Sequence, residues 1–399
     1  MNAKVQDIRF IKDMTGVGLT TDWDVLGTDL GIPVYSPSQQ RMYFLYGDTF
    51  GVPEGVEYKD NLVCAVADPD HKAVNWRGTI AGYTENFDLT NGIRWDGFLA
   101  DENGMARELI KAHHSGKQDD REVTKICQGG IEIDGALYFF YESIRRWGPP
   151  GSSMWYINYC GAIKSTDGGK TFRRVHDLTW VETDEGEFAP MIKEFAEQDM
   201  NLQPSGYDLD LSTHVGPCFG QLYPLDGKDG YIYIYGRYGG RAHGIKVGRV
   251  KKADFETFAA YEYLTGFKDG EPVWVKGAEG LKILVEKNAA CDIIPARTSN
   301  MSVAWNSYLS KWLLTYYKPG EGIACCLSDT PYGPYTEPEI MIPMNHPVLV
   351  KDSPDGTSAL YGGFIHELLS RENGRKIILV ISQWHKKFYN SRLFEITFE

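Results

Sequence analysis

The chain is 399 residues long, with 41 Lys and Arg against 54 Asp and Glu, a net charge of −13 at neutral pH. Apolar residues at 42% and charged residues at 24% exclude disordered, collagenous and coiled-coil chains. The acidic balance argues against a nucleic acid or an anionic membrane surface as partner and favours a neutral ligand, while the 24 Tyr and 10 Trp are types that stack on sugars as well as fill cores.

The start, Met1–Ile8, lacks the apolar stretch of a secretory signal, which fits a cytoplasmic chain or one whose leader has been removed. Lys4–Asp13 then reads as a lone strand. After it comes a short strand rich in small residues, Asp24–Gly31, a turn at Ser36–Gln40, and a strongly apolar strand, Arg41–Tyr46. That strand ends at the polar cluster Gly47-Asp48-Thr49-Phe50, and Asn61–Val66 reads as a third strand.

The same order recurs four times. The second copy runs through Gln128–Gly130, the turn Ile133–Gly135, Ala136–Tyr141 and Tyr156–Ile163. The third runs through His214–Pro217, Leu225–Gly227, Tyr231–Tyr235 and Gly244–Val250. The fourth uses Ser299–Ser302, Asn306–Ser310, Lys311–Tyr317 and Gly322–Leu327, and the fifth Tyr361–His366, Arg371–Gly374, Lys376–Ser382 and Ser391–Phe398. Asp-Gly, Asn-Gly and Ser-rich turns between apolar strands are hairpin chemistry.

The sequence stops at Glu399, directly after the third strand of the fifth copy, so that sheet is one strand short and Lys4–Asp13 is the strand available to complete it. Covering such an edge protects it from aggregation. The expectation is therefore an all-β chain, a five-bladed β-propeller closed by its N-terminal strand. It is read as one domain over 1–399, with approximate blades 14–125, 126–213, 214–297, 298–360 and 361–399 plus the strand 4–13. Two stacked β-sandwiches are the competing architecture, but they do not require five matched hairpins with a truncated last copy. Long loops at Val52–Asp60, Arg94–Thr124 and Arg174–His214 decorate the early copies. In the last of these, Phe188, Met191, Ile192 and Phe195 recur at helical spacing and predict a helix seated on the propeller. No apolar run nears the roughly 20 residues of a membrane helix. Seven cysteines with no CxxC pair read as buried thiols.

In a propeller the starts of first strands and the ends of second strands converge on one face. That rule gathers Asp24 and Asp29, Asp48, Glu142 with Arg145, His214, Arg237 with Tyr238, Tyr317 with Lys318, and Gln383 with Trp384. Asp29, Asp48 and Glu142, the last the counterpart of Asp48 in the second copy, are candidate catalytic carboxylates. Glycoside hydrolysis needs a carboxyl that protonates the leaving oxygen and another that attacks or activates water. The plainer use of Asp29 and Asp48 is to bond amides in blade-edge turns. Asp24, Arg145, His214, Arg237, Lys318 and Gln383 are candidates to hold sugar hydroxyls, and Tyr238, Tyr317 and Trp384 to stack on a sugar face. His366, on the first strand of the last copy, reads as a core histidine, with contact to a channel ion as the alternative; no cluster of metal ligands supports the second use.

Ser165-Thr-Asp-Gly-Gly-Lys-Thr-Phe172 has the form of the Asp-box hairpin of sialidases and other propellers, where its role is structural. Gly27-Thr-Asp-Leu-Gly31 followed by Tyr46-Gly-Asp-Thr-Phe50 resembles the signature of a propeller family catalogued as domain of unknown function 4185, which includes bacterial endo-D-arabinanases. Ser328–Tyr335 is similar to the blade-edge turn of arabinanase and xylosidase propellers. The resemblance implies hydrolysis of furanosidic, arabinan-like linkages, with Asp29 and Asp48 as site carboxylates and no nucleotide or redox cofactor. A non-catalytic carbohydrate-binding propeller is the alternative, and a glycoside phosphorylase, with Arg145, Arg146 and Arg237 near phosphate, a weaker third.

Overall fold

The computed structural model describes residues 3–52, 76–85, 87, 95–113, 118–149, 152–352, 359–385 and 388–399. Among them the strands form five antiparallel sheets, and the chain is a five-bladed β-propeller in fold class. Strand β1 (Val5–Asp13) stands alone in sequence. The first sheet holds β2 (Gly27–Ser36), β3 (Arg41–Phe50), β4 (Trp76–Arg77), β5 (Ile80–Thr84) and β6 (Gly97–Phe98). The second holds β7 (Thr124–Ile133), β8 (Ala136–Trp147), β9 (Trp155–Ser165) and β10 (Arg173–Val181). The third has β11 (Gln221–Asp226), β12 (Tyr231–Arg237), β13 (Lys246–Lys251), β14 (Glu262–Lys268) and β15 (Glu271–Lys276). The fourth has β16 (Met301–Asn306), β17 (Lys311–Lys318), β18 (Gly322–Ser328) and β19 (Glu339–Pro343). The fifth has β20 (Ala359–Ile365), β21 (Lys376–His385) and β22 (Phe388–Phe398), with β1 as its outer strand.

The expected completion of the last sheet is observed: β1 pairs with β22 from Val5 opposite Phe398 to Asp13 opposite Arg392. All five second strands run beyond their apolar stretch. β8 continues through Trp147 because Glu142, Ser143 and Ile144 pair with β7 on one side and β9 on the other. The third strand expected over Asn61–Val66 lies outside the described residues, as does nearly all of the Val52–Asp60 loop; β3 is paired instead by β4 and β5.

By its contacts the described chain divides into two compact units. One comprises Met1–Leu109, Ser299–Asp329 and Thr336–Glu399, and so carries the first, fourth and fifth sheets. In it β2 and β16 both pack against β20, and Ile323, Ile342, Leu360, Leu379, Phe394 and Ile396 form a buried core. The other comprises Ile110–Thr298 and Thr330–Tyr335, carries the second and third sheets, and packs β7 against β11. Its core gathers Phe140, Trp180, Phe219, Ile234, Tyr261 and Leu281. The predicted loop helix is present as α1 (Ala189–Ala196), burying Ile192 and Phe195. The six described cysteines are free and buried, and Cys64 lies outside the described residues. No described helix is long and apolar enough to cross a membrane.

Candidate functional site

In the first unit the site begins with an irregularity in the β2–β3 hairpin. Thr28 pairs with Thr49 and Leu30 with Tyr46, so Asp29 lies opposite the Gly47-Asp48 step in a bulge. Bulges re-aim side chains, and this one turns on two residues of positive φ, Leu30 at 63° and Gly31 at 82°. The Leu30 conformation is strained for a branched side chain and is held on both sides. Its N–H donates to Ser382 Oγ at 3.0 Å, and its carbonyl accepts from Ser391 Oγ at 2.9 Å. A Cβ on Gly31 would stand 2.6 Å from Ser391 Oγ, so only glycine fits there.

Asp29 is buried and Asp48 half-buried. The Tyr389 hydroxyl donates to Asp29 Oδ2. Burial raises the Tyr389 pKa well above the usual phenol value, and the charges of Asp29 and Asp48 push the same way, which places one phenol within the field of both carboxylates. Tyr389 joins Phe50 and Leu26 in an apolar cluster flanked by Trp76, Tyr361 and Trp384. Trp384 is therefore brought to the Asp29 neighbourhood as expected. Tyr389 lies on the third strand β22, outside the positions that converge on one face, and Tyr361 stands at the expected start of the fifth copy's first strand with no polar residue beside it to mark it.

Asp24 lies close by in the chain, but protein donors engage both its oxygens: Val52 N–H at 2.6 Å and Arg77 Nη2 at 3.2 Å. Gln383 is wholly buried, donating to the Leu349 carbonyl and accepting from Arg392. Tyr317 is buried in the core of this unit, and Lys318 pairs with Glu321 at 2.9 Å. His366 follows β20, fully buried against Phe44, and neither ring nitrogen has a hydrogen-bond partner among the described residues. Burial lowers its pKa to about 3, so the ring is neutral.

In the second unit Glu142 is the centre. Its Oε1 accepts from Gln128 Nε2 at 2.8 Å and from Gln221 Nε2 at 3.2 Å; its Oε2 accepts from Gln221 Nε2 at 3.0 Å and Trp155 Nε1 at 2.9 Å. Gln128 is the extra residue of a bulge in β7, where Cys127 pairs with Tyr141 and Gly129 with Phe140; the matching extra residue in β2 is Gly31, between the Leu30–Tyr46 and Ile32–Leu45 pairs. Burial raises the Glu142 pKa to about 7; the Trp155 hydrogen bond and the Arg237 charge oppose the rise. Arg237 is completely buried, its pKa lowered to about 9 by desolvation against the pull of Glu142. It donates through Nη1 to the carbonyls of Gly240 and Thr298, and its Nε and Nη2 have no hydrogen-bond partner among the described residues. Gly240, at φ 81°, makes that turn.

Three other candidates in this unit have local tasks. Arg145 pairs with Glu182 at 2.8 Å and lies over the Phe188 ring, tying down the approach to α1. Arg146 pairs with Asp120 at 3.1 Å. Tyr238 is half-buried against His243. His214, expected at the start of a first strand, instead ends a helix. Asp210 caps a short helix α2 (Leu211–His214) through the Ser212 N–H, and the strand begins only at Gln221. His214 stacks on Phe258 beside Asp177. The first-strand start is thus Gln221, which donates to Glu142, and not His214. Among the described residues no group of three or more His, Cys, Asp or Glu side chains is placed to hold a metal ion.

A family model described as domain of unknown function (DUF4185) matches residues 15–395. The chain belongs to that family. No curated protein matches it. Among solved structures, this DUF4185 chain is similar to a candidate hydrolase from Bacteroides ovatus, at 13% identity and TM-score 0.53, over 97% of this chain and 87% of that one. A family 43 arabinoxylan arabinofuranohydrolase from Bacillus subtilis, solved with cellotetraose, shares 14% identity at TM-score 0.45 over 96% and 66% of the two chains. A xylan β-1,4-xylosidase from Bacillus halodurans shares 11% at TM-score 0.46 over 94% and 53%. At these identities the likeness concerns the fold.

Proposed function

We propose that this DUF4185 protein is a glycoside hydrolase acting on furanosidic, arabinan-like linkages of a polysaccharide or oligosaccharide, with Asp29 and Asp48 as its paired carboxylates. The observation that carries the reading is the β2–β3 bulge, which sets Asp29 against the Gly47-Asp48 step with Tyr389 in the field of both. Such a pair divides the labour of glycoside hydrolysis between a proton donor and a nucleophile or base. Asp29, buried and bonded by Tyr389, is the fixed member; Asp48, half-buried, is the one a substrate reaches. Trp384 and Tyr361 offer ring faces beside them. Glu142 is a carboxyl that exchanges its proton near neutrality, the property a general acid needs, and Arg237 is the cation beside it. The arabinan-like linkage rests on the resemblance of the Gly27–Gly31 and Tyr46–Phe50 segments to endo-D-arabinanases.

The test is product release from a panel of arabinans and furanoside oligosaccharides. Wild type is expected to release product, and Asp29→Asn and Asp48→Asn to fall by about 100-fold or more; equal release by wild type and both variants would remove the assignment. Binding without turnover is the second reading, favoured by the burial of Asp29 and its bond from Tyr389, an arrangement that also suits recognition. Calorimetric glycan binding with no product over days would select it.

A further inference from the structure

Far along the strands from the carboxylates, the first unit carries a concavity. Asp29 and Asp48 lie at the open end of the β2–β3 hairpin, whereas this pocket lies at the β16–β17 turn and the β20–β21 connection. Its volume is about 230 Å³, below the roughly 300–1,000 Å³ of drug-sized ligand sites and suited to a single ring. The floor is apolar and buried: Ala304, Leu313, Ile365 and Ile377. One wall is Trp305, 49% exposed although it is among the largest apolar side chains of the protein. Its cross-strand partner Trp312 meets it edge-on at 5.7 Å, fixing the indole and leaving it open to solvent. Tyr308 and Leu368, two more exposed large side chains, belong to the same two connections.

The rim is polar and neutral apart from one carboxylate, Glu367. Ser307 and Asn373 line the pocket, are exposed, and spend neither side chain on a hydrogen bond to a described residue. Among the described residues no lysine, arginine or histidine lines the cavity, so no cationic side chain there recognises a phosphate or carboxylate ligand. A fixed aromatic face, an apolar floor of one-ring size and uncommitted neutral donors and acceptors together match a ligand that is apolar on one face and hydroxylated around its edge.

We propose that this pocket is an auxiliary glycan-binding site, in which Trp305 stacks on one sugar ring of a chain while Ser307, Asn373 and Glu367 bond its hydroxyls. This rests on the carbohydrate reading above but not on the identity of the catalytic residues. It would hold a polymer on the enzyme without taking part in bond cleavage.

The experiment uses the full chain as wild type, Trp305→Ala, Asn373→Ala and Asp48→Asn, each checked for native circular dichroism. Retardation in gels cast with soluble arabinan, or with a second soluble polysaccharide, reads polymer binding, and turnover of a short furanoside oligosaccharide reads the active site. Trp305→Ala is expected to weaken retardation about 5- to 10-fold and Asn373→Ala less, with short-substrate turnover unchanged. Asp48→Asn should show the reverse, full retardation with lost turnover. Wild-type retardation by both pocket variants overturns the site, and so does a wild type that no polysaccharide retards or a pocket that binds peptide in preference to glycan. Absence of all turnover with Trp305-dependent retardation intact removes the hydrolase reading and leaves the site standing.

Discussion

Glu142 is under opposed forces. Four hydrogen bonds from Gln128, Gln221 and Trp155, together with two nearby guanidinium groups, favour its ionised form, and complete burial disfavours it. Burial wins, leaving the carboxyl at about 7 against an ordinary 4.5. Because this pKa is raised on folding, the native state binds more protons than the unfolded chain between those limits, and stability falls as pH rises through them. The loss is on the order of 3 kcal/mol when the group is fully ionised. Urea unfolding at pH 4.5 and pH 8 should show that decline in wild type and a smaller one in Glu142→Gln; identical pH dependence in the two proteins would contradict the raised pKa. If Glu142 also supplies a proton in catalysis, the wild-type rate should decline above about pH 7, and the variant should be inactive across the range. Asp29, Asp48 and Glu142 were legible in sequence because each sits at a strand position that repeats. Their immediate partners were not. Tyr389 and Trp155 arrive from third strands, whose residues follow no polar-end pattern, and the capped helix before β11 displaced the expected start of that strand and concealed Gln221.

The hairpins themselves followed from turn chemistry, and the extents of their strands did not. A run of apolar residues marks where a strand is buried, but β8 extends through Glu142 and Ser143 because backbone pairing on both sides satisfies polar residues that no hydropathy pattern would place inside a sheet. Bulges are equally invisible to residue pattern, yet β2, β7 and β20 each have a register shift, and in the first two the shift falls at Asp29 and Gln128. The Asp-box turn was legible as a structural hairpin. Between β9 and β10, Asp167 accepts from the Thr171 N–H at 2.9 Å and its hydroxyl at 2.6 Å, while Ser165 Oγ donates to Asp167 at 2.8 Å and accepts from the Gly169 N–H at 2.9 Å. Ser165 is buried, so Ser165→Ala should cost about 1 kcal/mol for the lost turn bonds. Thermal unfolding would show a lowered midpoint with glycan turnover unchanged; a loss of turnover in a stably folded Ser165→Ala protein would give the motif a role beyond the turn.

At the scale of the whole molecule, acidity and aromatic content are sorted by position. Most second-strand Tyr and Phe rings are core, and the excess of carboxylates includes several locked in ion pairs, such as Asp13 and Asp352 on Arg392. That arginine belongs to the joint between the two ends of the chain. Along it β1 pairs with β22, Phe10 packs on Phe394 at 5.6 Å, Arg392 lies over the Phe10 ring, and the Glu399 N–H donates to the Lys4 carbonyl at 2.9 Å. Removing residues 1–13 would strip β22 of its ladder partner, uncover Phe394 and leave Arg392 without Asp13. An unpaired strand of this length is a template for another chain. The truncated protein should therefore unfold at a lower temperature than the full chain and scatter light on warming before wild type does. Adding back a synthetic peptide of residues 1–13 in excess should recover part of both losses, since a ligand of the native state alone raises its stability by mass action. A truncated chain that melted with wild type and stayed clear would show that the β1–β22 ladder contributes little and that the edge of β22 is protected by other means.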